Sequence, residues 1–210
     1  MVRRSWIVGI TVAGLWLGGY VPSLAREILL AQTSPSTQPQ DPLERAAALN
    51  QQVAELYQAG QYQEAIPLAE EALAIRQEQL GENHPDVAII LLSLASLHHQ
   101  QGRYGEAEPL YQQSLNILRE QLGDNHPSVA IILHNLAELY RAQGRYGEAE
   151  PLYQQSLSIR RERLGNNHPN IAASLNNLAL LYRAQGRYGE AELLYQQSLS
   201  IHREQLGDNH

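Results

Sequence analysis

Residues 175–206 read LNNLALLYRAQGRYGEAELLYQQSLSIHREQL, and nearly the same text stands forty-two residues earlier at 133–164. A more diverged copy covers 91–122 and a weaker one about 50–80. Gly60, Gly102, Gly144 and Gly186 keep the step, as do Tyr62, Tyr104, Tyr146 and Tyr188, and Ala65, Ala107, Ala149 and Ala191. A fixed period of this length marks a stacked array of like units. Within one unit the apolar spacing is helical. Leu175, Leu178, Ala179 and Tyr182 fall at i, i+3, i+4 and i+7 on one face of a first helix. Ala191, Tyr195 and Leu199 mark a line on a second helix, with Leu194, Ser198, Ile201 and Leu206 beside it. Gly186 separates the two helices, where a left-handed residue stops the first. Gly165 and Gly207 follow second helices and read as caps of the same kind.

The pattern L-x-x-L-A-x-x-Y, then G-x-Y, then alanine three residues on, resembles the tetratricopeptide repeat. The usual unit has about thirty-four residues; this one has forty-two. The excess lengthens the second helix and adds a G-x-N-H-P connector, which makes the text similar to kinesin light chain-type repeats over roughly 42–210. The resemblance implies an all-α, right-handed α-solenoid of antiparallel helix pairs, with units at about 42–81, 85–123, 127–165 and 169–207. It also implies a protein–protein interaction scaffold that holds peptide segments in a concave groove lined by the first helices.

Within the 210 residues, the segments before the array read differently. Arg3 and Arg4 precede an uncharged apolar run that ends in Pro22-Ser23-Leu24-Ala25, the marks of a secretory signal peptide over 1–25. The uncharged stretch 5–25 is just long enough to span a bilayer, so a retained membrane anchor is the other reading. Either one places the repeats outside the cytoplasm, in the periplasm or cell envelope. Residues 26–41 read as a linker, polar and proline-rich from 32 onward, with little to bury. Asp41 and Pro42 then open the first helix. In the first unit Tyr57 lies three residues before its glycine where Tyr140 and Tyr182 lie four before theirs, so this unit reads as an atypical end with a shifted register.

Several chemistries have little support. The chain has no cysteine, which removes disulfides, thiolate metal sites and a cysteine nucleophile. A net charge of -7 argues against nucleic-acid binding, which rests on a basic surface. His84, His126, His168 and His210 recur once per unit. Stacking separates such positions by roughly 10 Å per helix-to-helix step, whereas zinc needs its ligands about 2 Å from one point. They read as connector residues, and no metal, cofactor or enzymatic role is expected. The glutamates of G-E-A-E read as solvated helix starts.

Binding has more to stand on. Residues off the packed face of the first helices are expected to project into the groove: Ser93 and His99 in unit two, His134, Asn135 and Arg141 in unit three, Asn176, Asn177 and Arg183 in unit four. Asparagine donates and accepts, so it can hold peptide backbone; arginine can fork a carboxylate. Tetratricopeptide domains use these residue types at such places. The sequence stops at His210, one residue before the proline that would open a fifth unit. That phase suggests a piece of a longer array, the sensor of a larger protein such as one carrying a protease-like domain. A self-association face on the last helix is the other explanation.

Overall fold

Each unit opens where a proline follows a capping side chain. A computed structural model describes residues 41–206, which form α1 (Pro42–Gln58), α2 (Tyr62–Leu80), α3 (Pro85–Gln100), α4 (Tyr104–Leu122), α5 (Pro127–Ala142), α6 (Tyr146–Leu164), α7 (Pro169–Ala184) and α8 (Tyr188–Leu206). The expected signal or anchor and most of the linker lie outside the described residues, as do Gly207 and His210. Asp41 accepts the Leu43 N–H at 2.9 Å. His84, His126 and His168 are more than connectors: each Nδ1 accepts an N–H two residues on, at 3.1, 3.2 and 3.1 Å. They are helix N-caps, and the geometry requires the ring proton on Nε2.

The two glycine sets differ. Gly144 has φ +74°, and the next residue, Arg145, returns its N–H to the Tyr140 carbonyl at 2.8 Å, a Schellman closure of α5. The glycines that end the second helices are not left-handed helical caps. Gly123 has φ 84° and ψ 160°, and Gly165 has φ 78° and ψ 169°, an extended mirror-image region open only to glycine. Pro67, Pro109 and Pro151 lie inside continuous helices. All three are exposed, so the carbonyl each leaves unbonded faces water.

The helix pairs pack in sequence, each second helix against the first helix of the next unit. First helices also touch across units, α1 with α3 and α3 with α5, more closely than any two second helices do. The inner side of the stack is therefore made of first helices. Leu175, Leu178, Ala179 and Tyr182 are all buried, as expected. Inside each of units two to four a buried serine ties the pair: Ser114, Ser156 and Ser198 donate to the carbonyls of Ala88, Ala130 and Ala172 at 2.6, 2.7 and 2.9 Å. Each serine thus keeps a bond it would lose by burial alone.

Between units a second device recurs. Glu108 of α4 accepts the Tyr140 hydroxyl at 2.9 Å and Arg145 at 2.7 Å, and the guanidinium lies 4.0 Å over the Tyr140 ring. Glu150 holds Tyr182 at 3.0 Å and Arg187 at 2.6 Å in the same way. So the second glutamate of G-E-A-E is a half-buried inter-unit clamp, not a solvated helix start. The Arg145 hydrogen bond, helped by Tyr140 and opposed by burial, holds Glu108 below its ordinary carboxylate range. At the first junction Ile66 stands in the glutamate's place and His98 in the tyrosine's. There His98 Nδ1 and Arg103 Nε are buried without a protein partner among the described residues.

The first unit keeps register in its core. Leu49 and Val53 are buried at the positions of Leu133 and Ala137, while Ala54 is exposed and Tyr57 half-buried. No shift exists; counted back from its glycine, Tyr57 takes the place of Arg141 and faces the inner side. The outward side of α1 is polar or small: Arg45, Ala48, Gln52 and Glu55 are exposed where α5 has the buried Val129, Ile132, Leu136 and Leu139. That substitution closes one end of the apolar stack. At the other end Leu199, expected in the packed line, is 49% exposed, whereas its counterparts Leu115 and Leu157 are 6% exposed.

Candidate functional site

Three first helices build one depression on the inner side. Asn50, Val53 and Tyr57 of α1, Leu92 and Ser93 of α3 and Asn135 of α5 border a volume of about 370 Å³. A smaller one of about 210 Å³ lies beside it, bordered by Tyr57, Ser96, His99, Tyr111, Asn135 and Glu138. Asn135 belongs to both. Tyr57 is fixed there by a hydrogen bond from the Gln100 side-chain amide to its hydroxyl at 3.2 Å and by the ring of Tyr62 at 5.4 Å. The larger depression offers apolar walls with amide and hydroxyl groups at the edge, which suits an apolar side chain and the backbone on either side of it.

The expected residues fall into three groups. Ser93, His99 and Asn135 come together at these depressions. Ser93 donates to the Ile89 carbonyl at 3.1 Å. His99 meets the ring edges of Tyr104 and Tyr111, with centroids 5.6 and 6.3 Å away. His134 and Asn177 form a second group, joined at 3.3 Å between α5 and α7, with the His134 ring edge-on to Tyr153. Asn176 is exposed beside them.

The arginines separate. Arg141 is bound to Glu138 of its own helix at 2.6 Å, and Glu138 also receives the Tyr153 hydroxyl. Arg141 is thus paired with a carboxylate of its own helix. Burial, with the Glu138 charge, pushes the Tyr153 hydroxyl up. In unit four Leu180 stands where Glu138 does, and Arg183 is exposed at the edge of a cleft against α8. The residues missed from the sequence are those of α1. Counting back from Gly60 instead of matching tyrosine to tyrosine would have found Tyr57 in the inner row.

Three histidines, His134 and His99 on the inner side and His98 at the first junction, make stability depend on pH. Burial first, then Arg160, pulls His134 below its ordinary 6.5, with Glu138 opposing. Burial likewise lowers His99 and His98. The folded state prefers the neutral rings, so below pH near 6.5 the unfolded chain binds more protons and stability is lost as the pH falls. Thermal melts are expected to show a lower Tm at about pH 5 than at about pH 7.5. His134→Asn, the residue at that place in unit four, should reduce the drop. Glu108, held low by Arg145, adds a separate loss only as pH falls through 4.5 and below.

Among the described residues no group of three or more histidine or acidic side chains could hold a metal ion, and no helix is long and apolar enough to cross a membrane. A family model for the tetratricopeptide repeat matches residues 44–120, 87–162 and 128–204. The structure is similar to that of BtubC (BKLC) from P. vanneervenii, with 26% identity and a TM-score of 0.73 over 88% of this chain and 73% of that one. A putative kinesin light chain from Podosopora anserina with nearly identical repeats is 31% identical, with a TM-score of 0.66 over 88% and 86% of the two chains. Aspartyl phosphate phosphatase F from Bacillus subtilis shares the fold at 17% identity and a TM-score of 0.67, over 81% of this chain and 43% of that one. No curated protein matches the sequence.

Proposed function

The chain belongs to the tetratricopeptide repeat family, with repeats of the kinesin light chain type, and from that membership we propose that it captures an extended peptide segment along the inner row of first helices. Repeats of this family act as protein-interaction scaffolds. The observation that carries the finer reading is the depression shared by α1, α3 and α5, where an apolar hollow is rimmed by Asn50, Ser93 and Asn135. An apolar side chain of the bound segment enters beside Leu92, and Asn135 holds the adjoining backbone through its donor and acceptor. Asn177, already oriented by His134 at 3.3 Å, extends the row toward unit four. Arg183 receives an acidic group, because no carboxylate of α7 neutralises it as Glu138 does Arg141. The basic, apolar and small-residue sequence of 1–25 supports an envelope location for this work.

The test is a pull-down from an envelope extract with residues 42–210, repeated with Asn135→Ala combined with Leu92→Glu. Both positions are on the inner side, and the double variant is expected to keep its helical circular dichroism and lose partner capture at least tenfold, about the worth of one buried apolar contact and one amide hydrogen bond. Undiminished capture by a folded double variant would remove the depression as the site.

A further inference from the structure

Three positions change together between the second and third junctions of the array. Leu92, Leu118 and Ile132 are apolar at the second, with Leu118 and Ile132 buried. Forty-two residues on, the same places hold His134, Arg160 and Ser174. Arg160 is half-buried and donates from Nη1 to Ser174 Oγ at 2.7 Å, while Ser174 donates to the Asn170 carbonyl at 2.8 Å. Among the described residues no carboxylate pairs with Arg160, and its Nε and Nη2 meet no protein acceptor. An arginine at the same place in the first junction is served differently: Arg76 lies 3.6 Å from the Asp86 carboxylate. In unit four Asn170 stands where that aspartate does. His134 adds a second open demand, since its Nε2 meets the Asn177 amide at 3.3 Å and its Nδ1 is buried without a protein partner among the described residues. A partly desolvated cation without a counter-charge costs free energy that the apolar set at the second junction avoids.

We propose that the third junction is an oxyanion-binding site, with Arg160 as its anchor and Asn177 and His134 beside it. The guanidinium presents a planar fork of N–H groups that matches a carboxylate or a phosphate. The Asn177 amide has a second N–H beyond the one it gives His134. Free phosphate and the carboxylate of an acidic side chain share this chemistry. The site also couples to protons through His134. That ring is faced by Arg160 and Tyr153 of α6, by Glu138 and Arg141 of its own helix and by Asn177 of α7. Glu138 is already paired with Arg141 and receives the Tyr153 hydroxyl, so Arg160 is the unbalanced charge among them. An oxyanion on Arg160 offsets it. Binding and protonation of His134 therefore favour each other, and the site tightens as pH falls from about 7.5 to about 6. It centres on α6 and α7, apart from the depression at α1, α3 and α5, and neither reading depends on the other.

The experiment uses the full chain, with inorganic phosphate and N-acetylglutamate amide as probes and sodium chloride of matched ionic strength as the reference. Either probe at about 10 mM is expected to raise Tm by about 2 °C or more, as for any ligand that binds only the folded state. The rise should be larger at pH 6 than at pH 7.5, and the His134 ring resonances in NMR should titrate higher with the probe bound. Arg160→Gln should lose the response. The triple variant His134→Leu, Arg160→Leu, Ser174→Ile restores the side chains of the second junction. It should melt at or above the parent temperature without probe, because a packed apolar set replaces a strained polar one, and should show no response. A rise with phosphate alone assigns the site to a free phosphate, and a rise with the glutamate derivative alone to an acidic side chain; each supports an oxyanion site. The proposal is overturned if neither probe acts, if Arg160→Gln or the triple variant responds as the parent does, or if the response is the same at both pH values.

Discussion

Leu133→Ala is expected to destabilise the array by about 2–5 kcal/mol, the range for a leucine cut back inside a closed core. Leu133 is fully buried on α5 and belongs to an apolar cluster that runs through units two, three and four. The loss combines missing transfer energy with a cavity that rigid helix pairs on both sides cannot fill. Because each unit borrows its core from its neighbours, the defect should also loosen the units before and after it. Urea denaturation followed by circular dichroism reads the size, and hydrogen exchange reads the spread. An unchanged midpoint would mean that the units do not share a core. The same substitution at Leu199 should cost less than about 0.5 kcal/mol, as for an ordinary surface position. Tyr146 recurs as strictly as the leucines yet is only half-buried, so Tyr146→Ala should cost less than Leu178→Ala.

Gly123→Asn is expected to cost about 1–3 kcal/mol, the strain of holding a side-chain-bearing residue in the extended mirror-image region. Gly144→Asn should cost far less, because asparagine tolerates the left-handed helical conformation that a Schellman closure needs. Crowding does not enter either comparison. A Cβ added at Gly123 or at Gly144 would meet nothing within 4 Å. The pair therefore isolates backbone conformation, and paired chemical denaturation measures it. Equal costs at the two glycines would contradict the difference between φ 84°, ψ 160° at Gly123 and the helix-closing geometry at Gly144.

Much of the array was legible because one helical repeat prints its packing rule several times. The spacing of Leu175, Leu178, Ala179 and Tyr182 named the buried face, and the helix limits followed from His-Pro openings and glycine closures. The inner depression was only half legible. Ser93, His99 and Asn135 were found by asking which residues project, but Tyr57 was matched to Tyr140 by identity when its place was that of Arg141. The histidines before proline were visible too, yet their role depends on Nδ1 lying 3.1–3.2 Å from an N–H two residues on. A spacing rule cannot supply that distance.

The sequence by itself determined the period, the helix pairs, their order and the inner row, since these follow from side-chain spacing along one chain. Only the tertiary structure decided which of several identical letters is occupied. Leu157 and Leu199 are the same residue in the same phrase, yet one is covered and one open. Arg141 is held by Glu138, while Arg183 has Leu180 in that place. Burial and pairing are properties of neighbours in space, and copies with the same text acquire different chemistry from what is stacked beside them.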